Sequence, residues 1–214
     1  SWSIPILIVQ GSSISRASDI SHSSITWTQF LRLLYLSLYF TIINGTETED
    51  GEIIEFKSAN PFSFYHIITE LDDQPSQDAY GILRMPIDNV DYPVPLILGV
   101  NGSKNWADHH LEYMKMYRET GFATFELQSF NSRNVKSTVG EQISVTTAMM
   151  ILDAYKALEI LTDDPRIDIS NVAITGWSLG GGVALFSAWE PLISAIDVEP
   201  MFSAHLAFYP PCLV

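Results

Sequence analysis

Ser178 is the residue whose type and setting point most clearly to chemistry in this 214-residue chain. It lies in "ITGWSLGGG", Ile174 to Gly182, with Gly176 and Gly180 two positions to either side and the apolar run "NVAI" just before. Gly-x-Ser-x-Gly between a strand and a helix is the sequence form of a nucleophile elbow. The physical requirement is narrow. The chain must reverse so sharply that the serine backbone is strained, and side chains two residues away would collide; glycines at 176 and 180 remove them. The turn lifts the hydroxyl above the sheet at a helix N-terminus, where backbone N–H groups lack intrahelical partners. The N–H of Leu179 then faces the space where the negative oxygen of a tetrahedral intermediate would form. The competing reading is a glycine-rich helix start that allows close packing on a sheet, a purpose Gly181 and Gly182 could serve alone.

An oxyanion hole needs a second N–H, from the loop after the third strand of such a sheet. "GVNGSKNW", Gly99 to Trp106, occupies that place, and the Ser103 amide is the candidate donor, with Gly102 allowing close backbone approach. Asn101-Gly102 is equally an ordinary turn dipeptide.

A serine hydroxyl is a poor nucleophile until a base takes its proton. In this arrangement the acid and then the histidine follow the serine. Beyond Ser178 the chain holds one aspartate, Asp197, and one histidine, His205. Their order is allowed but their positions are not: Asp197 precedes the strand-like "AHLAFYP", and His205 lies at or inside it, so neither is expected in a triad. His109 and His110 are adjacent on a helix, face different ways and cannot form a two-histidine metal pair; they read as surface or helix-start residues. His22 and His66 have no partners nearby in sequence. Cys212 stands alone, which excludes an intramolecular disulfide and a thiolate zinc cluster, and it reads as a small buried hydrophobe. No cofactor-binding or metal-binding pattern is read from the chain.

The elements that must position these residues come from the hydrophobic pattern. "EIIEF", "AYGILRMP", "VPLILGV", "FATFEL", "NVAITG" and "AHLAFYP" read as strands, and "VPLILGV" (Val94 to Val100) has the continuous apolar character of a strand buried on both faces. Trp106 to Thr120 carries Leu111, Met114 and Tyr117 at helical spacing, with Gly121 as its C-terminal cap. The spacing predicts a longer helix over Thr138 to Leu161, with Thr138 and Glu141 as a capping box and Val145, Met149, Leu152, Tyr155 and Leu158 as its stripe. "SLGGGVALFSAWE" reads as a helix beginning at Ser178. Alternation of strand and helix from Val94 to Tyr209 predicts an α/β fold, a mostly parallel sheet with helices on both faces.

Composition agrees with a packed domain: 47% hydrophobic, 12% aromatic and only 17% charged residues exclude a disordered chain. A formal net charge of −14 argues against nucleic acid and anionic membrane as partners, since both would repel it. Residues 1–30 are serine-rich and lack periodicity, and read as disordered or as an upstream segment. Residues 31–45 contain "RLLYLSLYFTII", Arg32 to Ile43, the length of a signal-peptide core and too short for a comfortable membrane span. Its alternative is a buried element of the fold; export to the periplasm or outside follows from the first reading and a cytoplasmic location from the second. Residues 52–214 form the expected domain.

From about Tyr80 to Cys212 the chain resembles the dienelactone hydrolase family of α/β-hydrolases, through "GILRMP", "PLILGVNGS", "GFATFELQSFNSR", "DPRIDISNVAITGWSLGGGVAL" and "AHLAFYPPC". The resemblance implies a hydrolase acting on esters, lactones or related acyl compounds, with Ser178 on the nucleophile and the Leu179 and Ser103 amides on the oxyanion hole. There are departures: Asn101-Gly102 stands where such proteins usually have His-Gly, and Gln128 where they commonly have Asp. Arg133 keeps a family position near the mouth of the site, against the plainer reading of an exposed, solvated arginine. The resemblance also implies further strands bearing the acid and the histidine beyond Val214, so that the chain is expected to be C-terminally truncated and weak or inactive by itself. The other readings are a non-catalytic binding scaffold that keeps the elbow as a turn, and a peptidase, thioesterase or acyltransferase on the same fold.

Overall fold

Two apolar segments form the middle of the sheet. Val94–Val100 (β5) and the second half of Ile167–Trp177 (β7) are almost wholly buried, because helices cover both of their faces. The computed structural model describes residues 6–10, 13–14, 51–88 and 90–211. Its other strands are Ile6–Gln10 (β1), Ser13–Ile14 (β2), Glu52–Ala59 (β3), Ser76–Arg84 (β4), Ala123–Leu127 (β6) and Ala204–Phe208 (β8). The helices are Phe64–Thr69 (α1), Asp108–Glu119 (α2), Ser129–Ser132 (α3), Thr147–Leu161 (α4), Leu179–Phe186 (α5) and Glu190–Ile196 (α6).

The sheet order is β2-β1-β8-β7-β5-β6-β4-β3. The four central strands β8, β7, β5 and β6 run parallel, and the flanking pairs are antiparallel. The parallel centre with helices on both faces is the architecture expected; the antiparallel flanks are added to it. Within the opening segment, read from sequence as disordered or upstream, the apolar Ile6–Gln10 instead pairs antiparallel with β8, Ile6 opposite Phe208. The rest of that segment, the run Arg32 to Ile43 and Cys212 lie outside the described residues.

The two faces are packed differently. On one, α4 and α5 bury Leu96, Leu98, Val100, Phe125 and Ile174 in the larger core. On the other, α2 lays Met114 and Tyr117 over Ile97, Ala173 and Trp177. Leu111, expected on the inner stripe of α2, is 39% exposed, and His110 takes its place inward at 4%. Helix α4 is buried almost all round, as suits a helix wedged between sheet and surrounding helices. The Tyr155 hydroxyl on α4 donates to the Ser187 carbonyl at 2.6 Å, tying α4 to the end of α5.

Helix α4 starts nine residues later than its sequence spacing predicts. Gly140 (φ 93°) and Gln142 (φ 48°) are left-handed and stop a helix from forming at Thr138. Glu141 accepts the Ile143 and Ser144 N–H groups instead of capping a helix. The N-cap is Thr146, whose hydroxyl accepts the Met149 N–H.

Arg133 is not an exposed, solvated arginine: its side chain is only 6% exposed. It forms a two-pronged pair with the fully buried Asp153 of α4, at 2.7 and 3.0 Å. Its remaining N–H groups donate to Asn60 Oδ1 and to the Ala59 and Ser129 carbonyls, and the Ser58 hydroxyl donates to Asp153 at 2.6 Å. Every guanidinium nitrogen is used, so the pair fastens β3, α3 and α4 together.

Candidate active site

The elbow is built by register. Val100 at the end of β5 lies beside Gly176 of β7, and Trp177 beside Phe208 of β8, so three parallel strands end together. Ser178 follows immediately and α5 begins at Leu179. The serine has φ 53° and ψ −115°, a conformation strained for any residue with a side chain. Two bonds hold it there: its N–H donates to the Phe208 carbonyl at 3.0 Å, and its carbonyl accepts the Gly182 N–H at 3.0 Å. It is half-buried at the carboxyl end of the parallel strands, where open α/β sheets bind ligands.

The glycines are required by contact. A Cβ on Gly176 would overlap the Gly180 carbonyl, and one on Gly180 would overlap the backbone carbonyls of Val100 and Asn101. The glycine spacing read from sequence thus corresponds to a three-way backbone approach of β5, β7 and α5. Leu179 is the first residue of α5, and its N–H has no carbonyl one helical turn earlier to pair with.

The loop after β5 comes to the same place. Gly102 faces Ser178: a Cβ placed on it would lie 3.6 Å from the serine Cβ and 3.1 Å from the Trp177 carbonyl oxygen. The Gly102 carbonyl accepts the Asn105 N–H at 3.0 Å and the Asn101 Nδ2–H at 2.9 Å, which closes the turn. Asn101 is fully buried, and among the described residues its Oδ1 has no hydrogen-bond partner. The Ser103 carbonyl accepts the Thr138 N–H and the Ser137 hydroxyl, both at 2.9 Å, so the 137–138 segment backs the loop.

Of the other sequence candidates, two are remote from the elbow. His205 lies three residues before the end of β8, about 10 Å below the rim at the strand rise. It faces α5, its Nδ1 shared between the Ser187 hydroxyl at 3.1 Å and the Ala184 carbonyl at 3.0 Å, and burial pushes its pKa down to about 4. Asp197 is the left-handed C-cap of α6, with φ 51°. His66 pairs with Ser63 at the start of α1. Gln128 is buried and accepts the Asn131 side-chain amide at 2.7 Å.

His110 is the residue that sequence reasoning missed. Its ring stacks on Trp177 at 4.7 Å and 23°, edges toward Trp106, and brings Cε1 to 3.9 Å from the Cβ position of Gly102. The only signal in the sequence is its i, i+4 and i, i+7 relation to Met114 and Tyr117 on the inner face of α2. Burial, and secondarily His109, push its pKa down to about 4, so the ring is neutral at pH 7.

A strained serine between the central parallel strand and its following helix, with a strand-to-helix loop closing over it, decides the fold. The chain has the α/β-hydrolase fold. No family model matches the chain, and no curated protein matches it. Solved structures similar to this chain include a dienelactone hydrolase-like promiscuous phosphotriesterase from metagenomic libraries, with 19% identity over 64% of this chain and 54% of that one and a TM-score of 0.40. A protein described as a dienelactone hydrolase from Klebsiella pneumoniae shares 16% identity over 66% of this chain and 57% of its own, with a TM-score of 0.43. An α/β hydrolase, GrgF, from Penicillium shares 15% identity over 64% and 41%, with a TM-score of 0.44. The chain therefore spans little more than half the length of the first two. Among the described residues no single helix is long and apolar enough to cross a membrane. A separate open groove of about 1310 Å³ lies between β3, α1, α4 and α6, and neither Ser178 nor Gly102 lines it.

Proposed function

We propose that this chain is a serine hydrolase that cleaves an ester, lactone or related acyl bond of a small molecule through an acyl-enzyme on Ser178. The observation that carries the reading is the strained serine itself, held at φ 53° at the end of β7 with Gly102 3.6 Å away, measured from its Cβ position. Such strain persists only where surrounding structure over-determines it, and it clusters at active sites. In the reaction Ser178 Oγ attacks the carbonyl carbon and its proton passes to a base. The carbonyl oxygen becomes an oxyanion facing the Leu179 and Ser103 N–H groups. The leaving alcohol takes the proton, and water then releases the acid and restores the serine.

The base is the open part of this reading. Among the described residues no imidazole is hydrogen-bonded to Ser178, and His205 is committed below α5. Turnover supported by the described residues alone would rest on the oxyanion donors and binding, which retain about 10³–10⁴-fold over water in a triad enzyme. The same lack of a placed base favours the second reading, a scaffold that keeps the elbow as a turn. Hydrolysis of p-nitrophenyl acetate by the chain and by Ser178→Ala, with mass-spectrometric search for acyl-Ser178, separates them. Slow, Ser178-dependent turnover with an acylated peptide supports the hydrolase. Equal rates in both proteins and no adduct support the scaffold, and fast, Ser178-dependent turnover means that a base reaches the serine from outside the described residues.

A further inference from the structure

The imidazole of His110 has one nitrogen committed and one unused. Nδ1 accepts the Ala107 backbone N–H at 3.2 Å, so in the neutral ring the proton resides on Nε2. Among the described residues Nε2–H makes no hydrogen bond, and it is not among the fully enclosed polar atoms left without a partner, so it stays open to solvent or to a ligand.

The ring stands at the seam between the two halves of the elbow site. One face stacks on Trp177, the residue before the serine. Its Cε1, which adjoins Nε2, borders the space in front of Gly102. The Trp177 carbonyl oxygen and Ser178 Cβ border that same space, at 3.1 and 3.6 Å from the position a Gly102 Cβ would take. The absent Cβ therefore lets the serine turn, the loop that carries the Ser103 amide, and the imidazole edge meet at one point.

Resting on the hydrolase reading above, we propose that the Nε2–H of His110 is a third donor to the oxyanion formed at Ser178. A neutral imidazole suits this task, because it polarises a carbonyl oxygen without surrendering a proton to it. The same tautomer removes His110 as the general base: with Nδ1 bonded to Ala107 and Nε2 protonated, the ring has no lone pair for the serine proton.

Three substitutions separate a donor from a brace. His110→Asn puts an amide oxygen where Nδ1 stood and keeps the Ala107 N–H satisfied, but has no donor at Nε2. His110→Phe keeps the stack on Trp177 and lacks both nitrogens. His110→Gln places an amide N–H near Nε2. An oxyanion donor acts in the transition state, so Asn and Phe should lower kcat for Ser178-dependent p-nitrophenyl acetate turnover by about tenfold or more with KM within about twofold, while Gln stays within about threefold of the parent. Unchanged kcat in Asn or Phe overturns the proposal, as does a loss in all three led by KM.

A second measurement that does not depend on turnover uses butylboronic acid, which forms a tetrahedral, oxyanion-like adduct on a nucleophilic serine. The His110 Nε2–H proton resonance should move downfield on adduct formation, and an unmoved resonance overturns the proposal. A parent with no Ser178-dependent turnover and no boronate adduct removes the hydrolase reading and this inference with it. A parent with both, and an indifferent His110→Asn, removes this inference alone.

Discussion

The Ser178 N–H donates to the Phe208 carbonyl at 3.0 Å, so the elbow is fastened to β8 as well as to its own helix. At the other end of the strand, Ser203 N–H donates to the Val172 carbonyl at 2.8 Å, and its hydroxyl does the same at 3.0 Å. The posture of the serine therefore depends on how β8 is seated. Phe208 also stacks on Trp177 at 5.8 Å and 11°. Phe208→Ala should destabilise the fold by about 2–3 kcal/mol through lost packing and stacking. It should also slow fluorophosphonate labelling of Ser178; chemical denaturation and intact-mass labelling read the two effects, and labelling at the parent rate would show that β8 does not hold the elbow.

Gly180→Ala should be among the most damaging single-methyl additions in the chain, because its Cβ meets backbone carbonyls of Val100 and Asn101, which cannot swing aside. A loss of about 3 kcal/mol or more is expected by overpacking. Gly121→Ala is the control: its φ is 91° but its Cβ would meet nothing within 4 Å, leaving only backbone strain of about 1–2 kcal/mol. Urea denaturation of the two variants should therefore rank them clearly, and equal losses would mean that the close approach is not rigid.

The Arg133–Asp153 pair predicts an asymmetry between single and double replacement. Asp153→Leu leaves a guanidinium that is only 6% exposed without its counter-ion and should cost about 3–5 kcal/mol, as should Arg133→Met from the other side. Replacing both removes the uncompensated charge and should recover much of the loss. Thermal melts of the four proteins form the double-mutant cycle, and purely additive losses would contradict the coupling.

Acid should weaken the fold in a defined window. His110 and His205 both have pKa values lowered to about 4 from 6.5, so the unfolded chain binds more protons than the native one between those values. Their contribution is complete above about pH 6.5 and is lost as pH falls toward about 4. Two such groups give at most about 2.7 kcal/mol per pH unit in that interval. Below it the Asp164 carboxyl, held down by Arg166, and the Asp168 carboxyl, held down by Ser170 and Asn171, add losses of the same sign. A Tm series across the window should fall, and His205→Leu should flatten the slope if it folds; a Tm constant from pH 6.5 to 4 would exclude buried neutral histidines.

Much of the candidate site's backbone geometry was readable in the sequence because its elements are local. The elbow, the strand before it and the helix after it are contiguous, and Gly176, Ser178 and Gly180 carry their steric reason in their spacing. The loop at Gly102 followed from its place after β5. What could not be read depends on partners far apart in the chain. Arg133 looks like any polar residue until Asp153, twenty positions later, and Asn60, seventy-three earlier, close around it. His110 looks like a helix-start residue until Trp177 arrives beneath it. The start of α4 was misplaced because Thr138 and Glu141 have the composition of a cap, while the left-handed turn at Gly140 and Gln142 overrides it.

The posture of Ser178 has a thermodynamic corollary. At φ 53° and ψ −115° a glycine would rest at ease where serine and alanine do not. The variant without any side chain should then outlast the parent on heating while losing all acylation, and the one-methyl variant should gain nothing. A protein that becomes hardier as its hydroxyl is deleted would reveal, from calorimetry alone, that selection kept that oxygen for a task other than folding.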